Sequence, residues 1–201
     1  MGLARILNGS GRTGTEGLSM RYYGDPVLER TSDPVADVTP EIRTFAQQMI
    51  EAMYRYNGVG LAAPQVGRNI RLIAIDTHQS DDPLAADASM GERILVPLMP
   101  VVLVNLEIIE RRGDIETVEE GCLSFPDIYG QVARPARVVF RASLLDGSSV
   151  HGECGGLLAR CMQHELDHLD GVVFPQRMTA EARSPIEKSL KTLKKNTRRH
   201  L

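Results

Sequence analysis

Gly156-Leu157-Leu158-Ala159-Arg160-Cys161-Met162-Gln163-His164-Glu165-Leu166-Asp167-His168-Leu169-Asp170-Gly171 is the stretch that decides the fold. Gly155-Gly156 opens a helix, Leu157, Cys161, His164 and His168 recur at helical spacing, and Asp170-Gly171 closes it. Working backwards, strand-like runs stand at Ile70–Ile75, near Val101–Val104, at Leu106–Glu110 and at Val138–Leu145. They are rich in branched residues and separated by turn formers, with no regular alternation of strand and helix. That order predicts an α+β fold, with mixed or antiparallel β-sheets packed around this central helix, which carries His164 and His168, and a further helix at the C-terminus.

Two more helices flank this middle. Thr39 is placed to cap a helix whose first position is Pro40, with Ile42, Phe45, Ala46, Met49, Ile50 and Met53 on one side and a stop at Asn57-Gly58. The stretch Gly58–Gln65 is too rich in Gly and Pro for a regular element and reads as a loop. Residues 77 to 92, with Asp81-Asp82-Pro83, read as a surface loop. At the C-terminus Ser184 and Glu187 match a capping box opening a helix over 185–199, with Ile186, Leu190 and Leu193 along one side. Residues 1–19 hold few large apolar side chains and several glycines, so they read as an extension. Residues 20–201 then form a single catalytic domain that includes the basic helix 185–199. No internal repeat is visible.

A chain of 201 residues with 42% hydrophobic content and a net charge of −3 has the composition of an ordinary globular protein. Nothing in that balance calls for DNA or a membrane as partner. The three cysteines, 122, 154 and 161, lack a C-x-x-C spacing and suit a reducing compartment. No apolar run is long enough to span a bilayer, the start lacks a secretory signal, and Ile6 stands where a myristoylation signal needs Ser or Thr. Together these point to the cytoplasm, with import into an organelle left open.

His164-Glu165-Leu166-Asp167-His168 fits H-E-x-x-H, which on a helix puts two imidazoles one turn apart on one face. The intervening Glu165 can act on a water between them. A catalytic metal usually takes three protein ligands and keeps one position open, so a third ligand is needed. The third histidine of the metzincin pattern would fall at 174, which is Phe174, excluding that class. Glu187 could complete a thermolysin-like site, although it already has a capping role. Cys122, in a glycine-preceded turn, is the better candidate, since a thiolate there could face the histidine helix. A metal or redox sensor built on Cys122 and the histidines, with no need of Glu165, is a further reading. Cys161 reads as a packing residue and Cys154 has no assigned role. Cysteine and histidine ligands suit zinc, iron, nickel or cobalt.

The residues resemble the peptide deformylase family. Its three signatures are matched in order by Gly58-Val59-Gly60-Leu61-Ala62-Ala63-Pro64-Gln65, by Glu120-Gly121-Cys122-Leu123-Ser124, and by Gln163-His164-Glu165-Leu166-Asp167-His168. Tyr23-Gly24-Asp25-Pro26-Val27-Leu28 looks like the family's opening segment, and the resemblance runs from about 20 to 175. It implies an enzyme that removes formyl from the N-terminal methionine of new polypeptides. It implies Cys122, His164 and His168 as metal ligands, Glu165 as general acid and base, and Gln65 with the Leu123 N–H on the formyl oxygen. It implies a methionine pocket walled by Val59, Gly60, Val118, Gly121, Leu157 and Cys161. One divalent ion per chain is expected, ferrous iron in the cell, with zinc, nickel or cobalt possible after purification. Phe125-Pro126-Asp127-Ile128-Tyr129 and the polar Arg160 differ from several familiar members. Lys188, Lys191, Lys194, Lys195, Arg198 and Arg199 follow Glu187 with no acidic residue between them, a basic run that suggests contact with ribosomal RNA.

Overall fold

The computed structural model describes residues 17–78 and 83–201. Most of the expected N-terminal extension (1–16) and the tip of the 77–92 loop (79–82) lie outside the described residues. Helix α1 (Pro40–Arg55) begins where Thr39 Oγ1 accepts the Ile42 N–H at 3.3 Å. It ends at Asn57, which takes the left-handed conformation (φ 58°) while the Gly58 N–H bonds Met53 O at 2.9 Å. The expected 58–65 loop instead contains strand β1 (Gly60–Ala62) and a 3-10 turn at Ala63–Val66. Strand β2 follows (Leu72–Ile75).

Helix α2 (Met90–Leu95) stands at the end of what reads as a loop, started by a reciprocal box between Ser89 and Glu92. Strands β3 (Val101–Cys122) and β4 (Phe125–Ser143) are far longer than their apolar runs, and they form one antiparallel arm with several register shifts. Strand β5 (Ser149–Gly155) runs directly into α3 (Gly156–Leu169). The five strands make one antiparallel sheet in the order β1-β2-β3-β4-β5.

Alternation along the strands explains how the sheet is covered. Ile73, Ile75, Val101 and Leu103 pack toward α3, whereas Leu72, Ala74, Val102 and Val104 pack toward α1. With both faces buried, these strands read as continuous apolar runs. Helix α3 is covered nearly all round, with every side chain from Cys161 to Leu169 buried. It is the central helix that the spacing predicts.

The C-terminal region departs from its expected start. Thr179 caps α4 (Ala180–Arg183), a 3-10 turn carries the chain through Ser184–Ile186, and α5 spans Glu187–Arg198. Ser184 has helical backbone angles (φ −51°, ψ −44°) and does not cap; Glu187 pairs with Arg183 at 2.9 Å. Leu190, with Ile186 and Leu193 beside it, packs on Phe125, Phe174 and Met178. Among the described residues no helix is long and apolar enough to cross a membrane.

Candidate metal centre and its cleft

Helix α3 carries two of the three candidate ligands because its caps fix where it stops. Gly171 takes φ 73°, and the Val172 N–H reaches back to Asp167 O at 2.8 Å, so the last turn holds His168 rigidly. The third candidate, Cys122, ends β3 at the tight turn into β4, where the pairing slips between Gly121 and Cys122. The ligand atoms of Cys122, His164 and His168 all lie within 4.8 Å of one another. Among the described residues this is the only such group of histidine, cysteine and acidic side chains. Glu187 is not part of it; it bonds Arg183 and lies near Lys191.

The details fit a divalent ion. Cys122 Sγ is 3.2 Å from His168 Nε2, near the roughly 3.5 Å edge that tetrahedral thiolate and imidazole ligands span. His164 Nδ1 is 3.0 Å from Glu120 Oε2, which leaves its other nitrogen for an ion. Burial holds the His168 pKa well below the usual imidazole value, so the ring is neutral, as a ligand must be. Burial also opposes charge on His164, but hydrogen bonds to Cys122 and Glu120 outweigh it and raise its pKa well above that value. The thiol and carboxylate around His164 therefore favour positive charge at the centre.

Glu165 follows His164 on the same helix and is buried. Its Oε2 has no hydrogen-bond partner, and burial pushes its carboxyl up to about 7. Gly60 is what admits it: a Cβ at that position would stand 2.5 Å from Glu165 Oε1 and 2.6 Å from Cys161 Sγ. Gln65 is fixed from the other side, its Oε1 accepting the Ala62 N–H at 2.8 Å. Its Nε2 is thereby turned to Cys122 Sγ (3.4 Å) and Ser124 Oγ (3.3 Å). Leu123 begins the turn after Cys122 and its side chain packs against Gly58.

These groups open on a cleft of about 630 Å³. Val59, Gly60, Gly121, Leu157 and Cys161 line it, as does Gln65. Val118 precedes Glu119, which lines the cleft, on β3 and has an exposed side chain. Tyr129 also forms part of the wall, and its ring lies so close over Gly121 that a Cβ there would be 2.7 Å away.

Sequence reading missed the charged cluster behind the centre. Arg134, only 5% exposed, donates from Nε and Nη2 to the two oxygens of Glu120 (2.6 and 3.0 Å) and from Nη1 to Asp167 Oδ2 (2.8 Å). Arg160 bonds Glu120 and Arg177 bonds Asp167. Burial alone would raise the Glu120 carboxyl, but bonds from His164 and Arg134 overcome it and hold it at about 2. Glu120 stands two residues before Cys122 and Arg160 four before His164, spacings that signal shared faces.

A family model described as polypeptide deformylase matches residues 18–184. The peptide deformylase of Opitutus terrae is 38% identical over 182 residues, 90% of this chain and 95% of that one. Peptide deformylase 2 of Gloeobacter violaceus is 45% identical over 161 residues, 80% of this chain and 79% of its own. A crystal structure of a Synechococcus elongatus peptide deformylase with actinonin superposes with a TM-score of 0.74 at 37% identity, covering 89% of this chain and 90% of that one.

Proposed function

The chain belongs to the polypeptide deformylase family, metal-dependent hydrolases that remove the N-formyl group from new polypeptides, and from that premise we propose how its own residues divide the work. Cys122, His164 and His168 hold the ion, and Glu165 moves the proton. The observation that carries this reading is the convergence of one thiol and two imidazoles within 4.8 Å beside a buried carboxylate with an unpartnered oxygen. An ion held there supplies Lewis acidity and a nucleophile that is available near neutral pH.

The remaining steps belong to the protein. Glu165, its carboxyl near 7, is suited to take a proton from the attacking water and return it to the departing amine at neutral pH. Gln65 Nε2 and the Leu123 N–H donate to the formyl oxygen as negative charge grows on it; the Ala62 bond that holds Gln65 in place means no reorganisation is needed. Val59, Gly60, Gly121, Leu157 and Cys161 supply an apolar recess beside Glu165 for the methionine side chain.

Ferrous iron is the proposed ion in the cell, with zinc, nickel or cobalt able to occupy the same soft and borderline donors. Cytoplasmic residence is part of the proposal, in keeping with the unpaired thiols. So is docking on the ribosome through α5. That helix buries Leu190 while Lys188, Lys191, Lys195, Arg198 and Arg199 lie on its outer side, and Lys194 bonds Glu29. Phosphate contacts of this kind weaken steeply with salt. Replacing those five cations with glutamine should abolish co-sedimentation with ribosomes at low salt while leaving turnover intact; unchanged co-sedimentation would remove the docking reading.

The direct test is formate release from formyl-Met-Ala-Ser by anaerobically purified, iron- or nickel-loaded protein. Turnover by the parent, with loss of both metal and turnover in Cys122→Ala, supports the assignment. Retention of a full complement of metal by Cys122→Ala would overturn Cys122 as ligand.

A further inference from the structure

Arg160 stands four residues before His164 on α3, so both side chains lie on one face of that helix. Its side chain is 12% exposed and borders the cleft, yet its hydrogen bonds go to no residue to which the proposed chemistry gives a role. Nη1 donates to Glu120 Oε1 at 2.8 Å and to Val132 O at 3.1 Å, and Nη2 donates to Glu116 O at 2.9 Å. One planar group thus joins α3, β3 and β4, the helix and hairpin that carry the candidate ligands.

The bond to Glu120 is the informative one. Glu120 Oε1 accepts from Arg134 Nε and Arg160 Nη1, and Oε2 from Arg134 Nη2 while facing His164 Nδ1. Arg134 holds both oxygens through Nε and Nη2 while its Nη1 goes to Asp167, and Arg160 adds a second hold on Oε1 from the side of α3. With Arg160 gone, Oε1 would keep a single donor and Glu120 would be held by a guanidinium from β4 alone. Its placement against His164 on α3 would lose the one bond that ties it to that helix from the guanidinium side.

We infer that Arg160 is a positioning residue of the metal centre: it locks Glu120 so that its second oxygen stays on His164 Nδ1, and thereby fixes the ring that faces the ion. The inference rests on reading Cys122, His164 and His168 as the ligands. Orientation of a ligating imidazole by a carboxylate typically governs metal affinity or activity by about 10–100-fold. Leucine can fill the stem's place without the bonds. Lysine keeps the charge but presents a single ammonium, which cannot span Glu116, Glu120 and Val132 together.

The test is chelator-driven zinc release from the parent, Arg160→Leu and Arg160→Lys, with the unfolding rate of each measured alongside. Arg160→Leu should release zinc about 10–100-fold faster than the parent, at a rate well above its own unfolding rate, with Arg160→Lys between the two. In nickel-loaded protein kcat should fall while KM for formyl-Met-Ala-Ser stays constant. Release within about twofold of the parent overturns the inference, as does release that merely tracks unfolding, or a change in KM alone. If Arg160→Leu does not fold, Arg160→Lys is judged by the same criteria. A parent that fails to bind zinc would instead remove the ligand reading on which the inference stands.

Discussion

Replacing Arg134 by methionine tests whether the buried charges behind the site are held by one another. Methionine fills the stem's volume and removes only the guanidinium. Arg134, Glu120 and Asp167 are 5%, 5% and 8% exposed at their side chains, so water cannot take over the lost bonds. Breaking a buried pair from one side costs about 3–5 kcal/mol. Glu120 retains Arg160 and His164, and Asp167 retains Arg177, a half-exposed partner, so the lower end of that range applies. For a protein of this size each kcal/mol moves Tm by about 2–4 °C, giving a drop of roughly 6–12 °C. Thermal and urea unfolding of metal-free parent and Arg134→Met would measure it. Combined with Asp167→Asn, the variant should show a coupling of about 1–3 kcal/mol, since the neutral amide would no longer strand a charge. A loss below about 1 kcal/mol, or strict additivity, would show that the cluster is not what holds β4 to α3.

Three other outcomes follow from the geometry. Gly60→Ala would drive a methyl into Glu165 Oε1; the carboxylate must shift, and a displacement of about 1 Å should lower kcat about 100-fold, with bound metal unchanged by elemental analysis. Gln65→Ala should lower kcat about 10²- to 10³-fold with little change in KM, because the donor acts on charge that develops only during the reaction; a rise in KM alone would mean that it merely binds substrate. Leu190→Ala should cost about 2–5 kcal/mol in urea unfolding, since Leu190 is buried against the hairpin end; a smaller loss would show that α5 is loosely attached.

The site was more legible than the sheet that presents it. His164, Glu165 and His168 could be read because the spacing, the glycines and the stop at Gly171 all agree on one capped helix. The hairpin arm was hidden because its outer residues, Arg111, Arg112, Asp114, Glu116 and Glu119, are exposed and leave no buried face to produce alternation. Helix α2 was masked by the small, turn-forming residues before it, although Ser89 and Glu92 carry a true capping box. Ser184 and Glu187 show the opposite error: the same motif lies inside a run that Thr179 has already started, so its serine is helical and caps nothing. The charged cluster went unread because Arg134 and Asp167 meet only through tertiary packing.

The central claim is that one ion on Cys122, His164 and His168 works with Glu165 as the proton carrier. It is met most directly by measuring metal content and formate release together in Glu165→Gln. The account predicts one ion per chain, as in the parent, with turnover reduced by at least about 10²-fold. Retained turnover would contradict the role of Glu165, and loss of the ion with Cys122 and both histidines intact would contradict the separation of ligands from proton carrier.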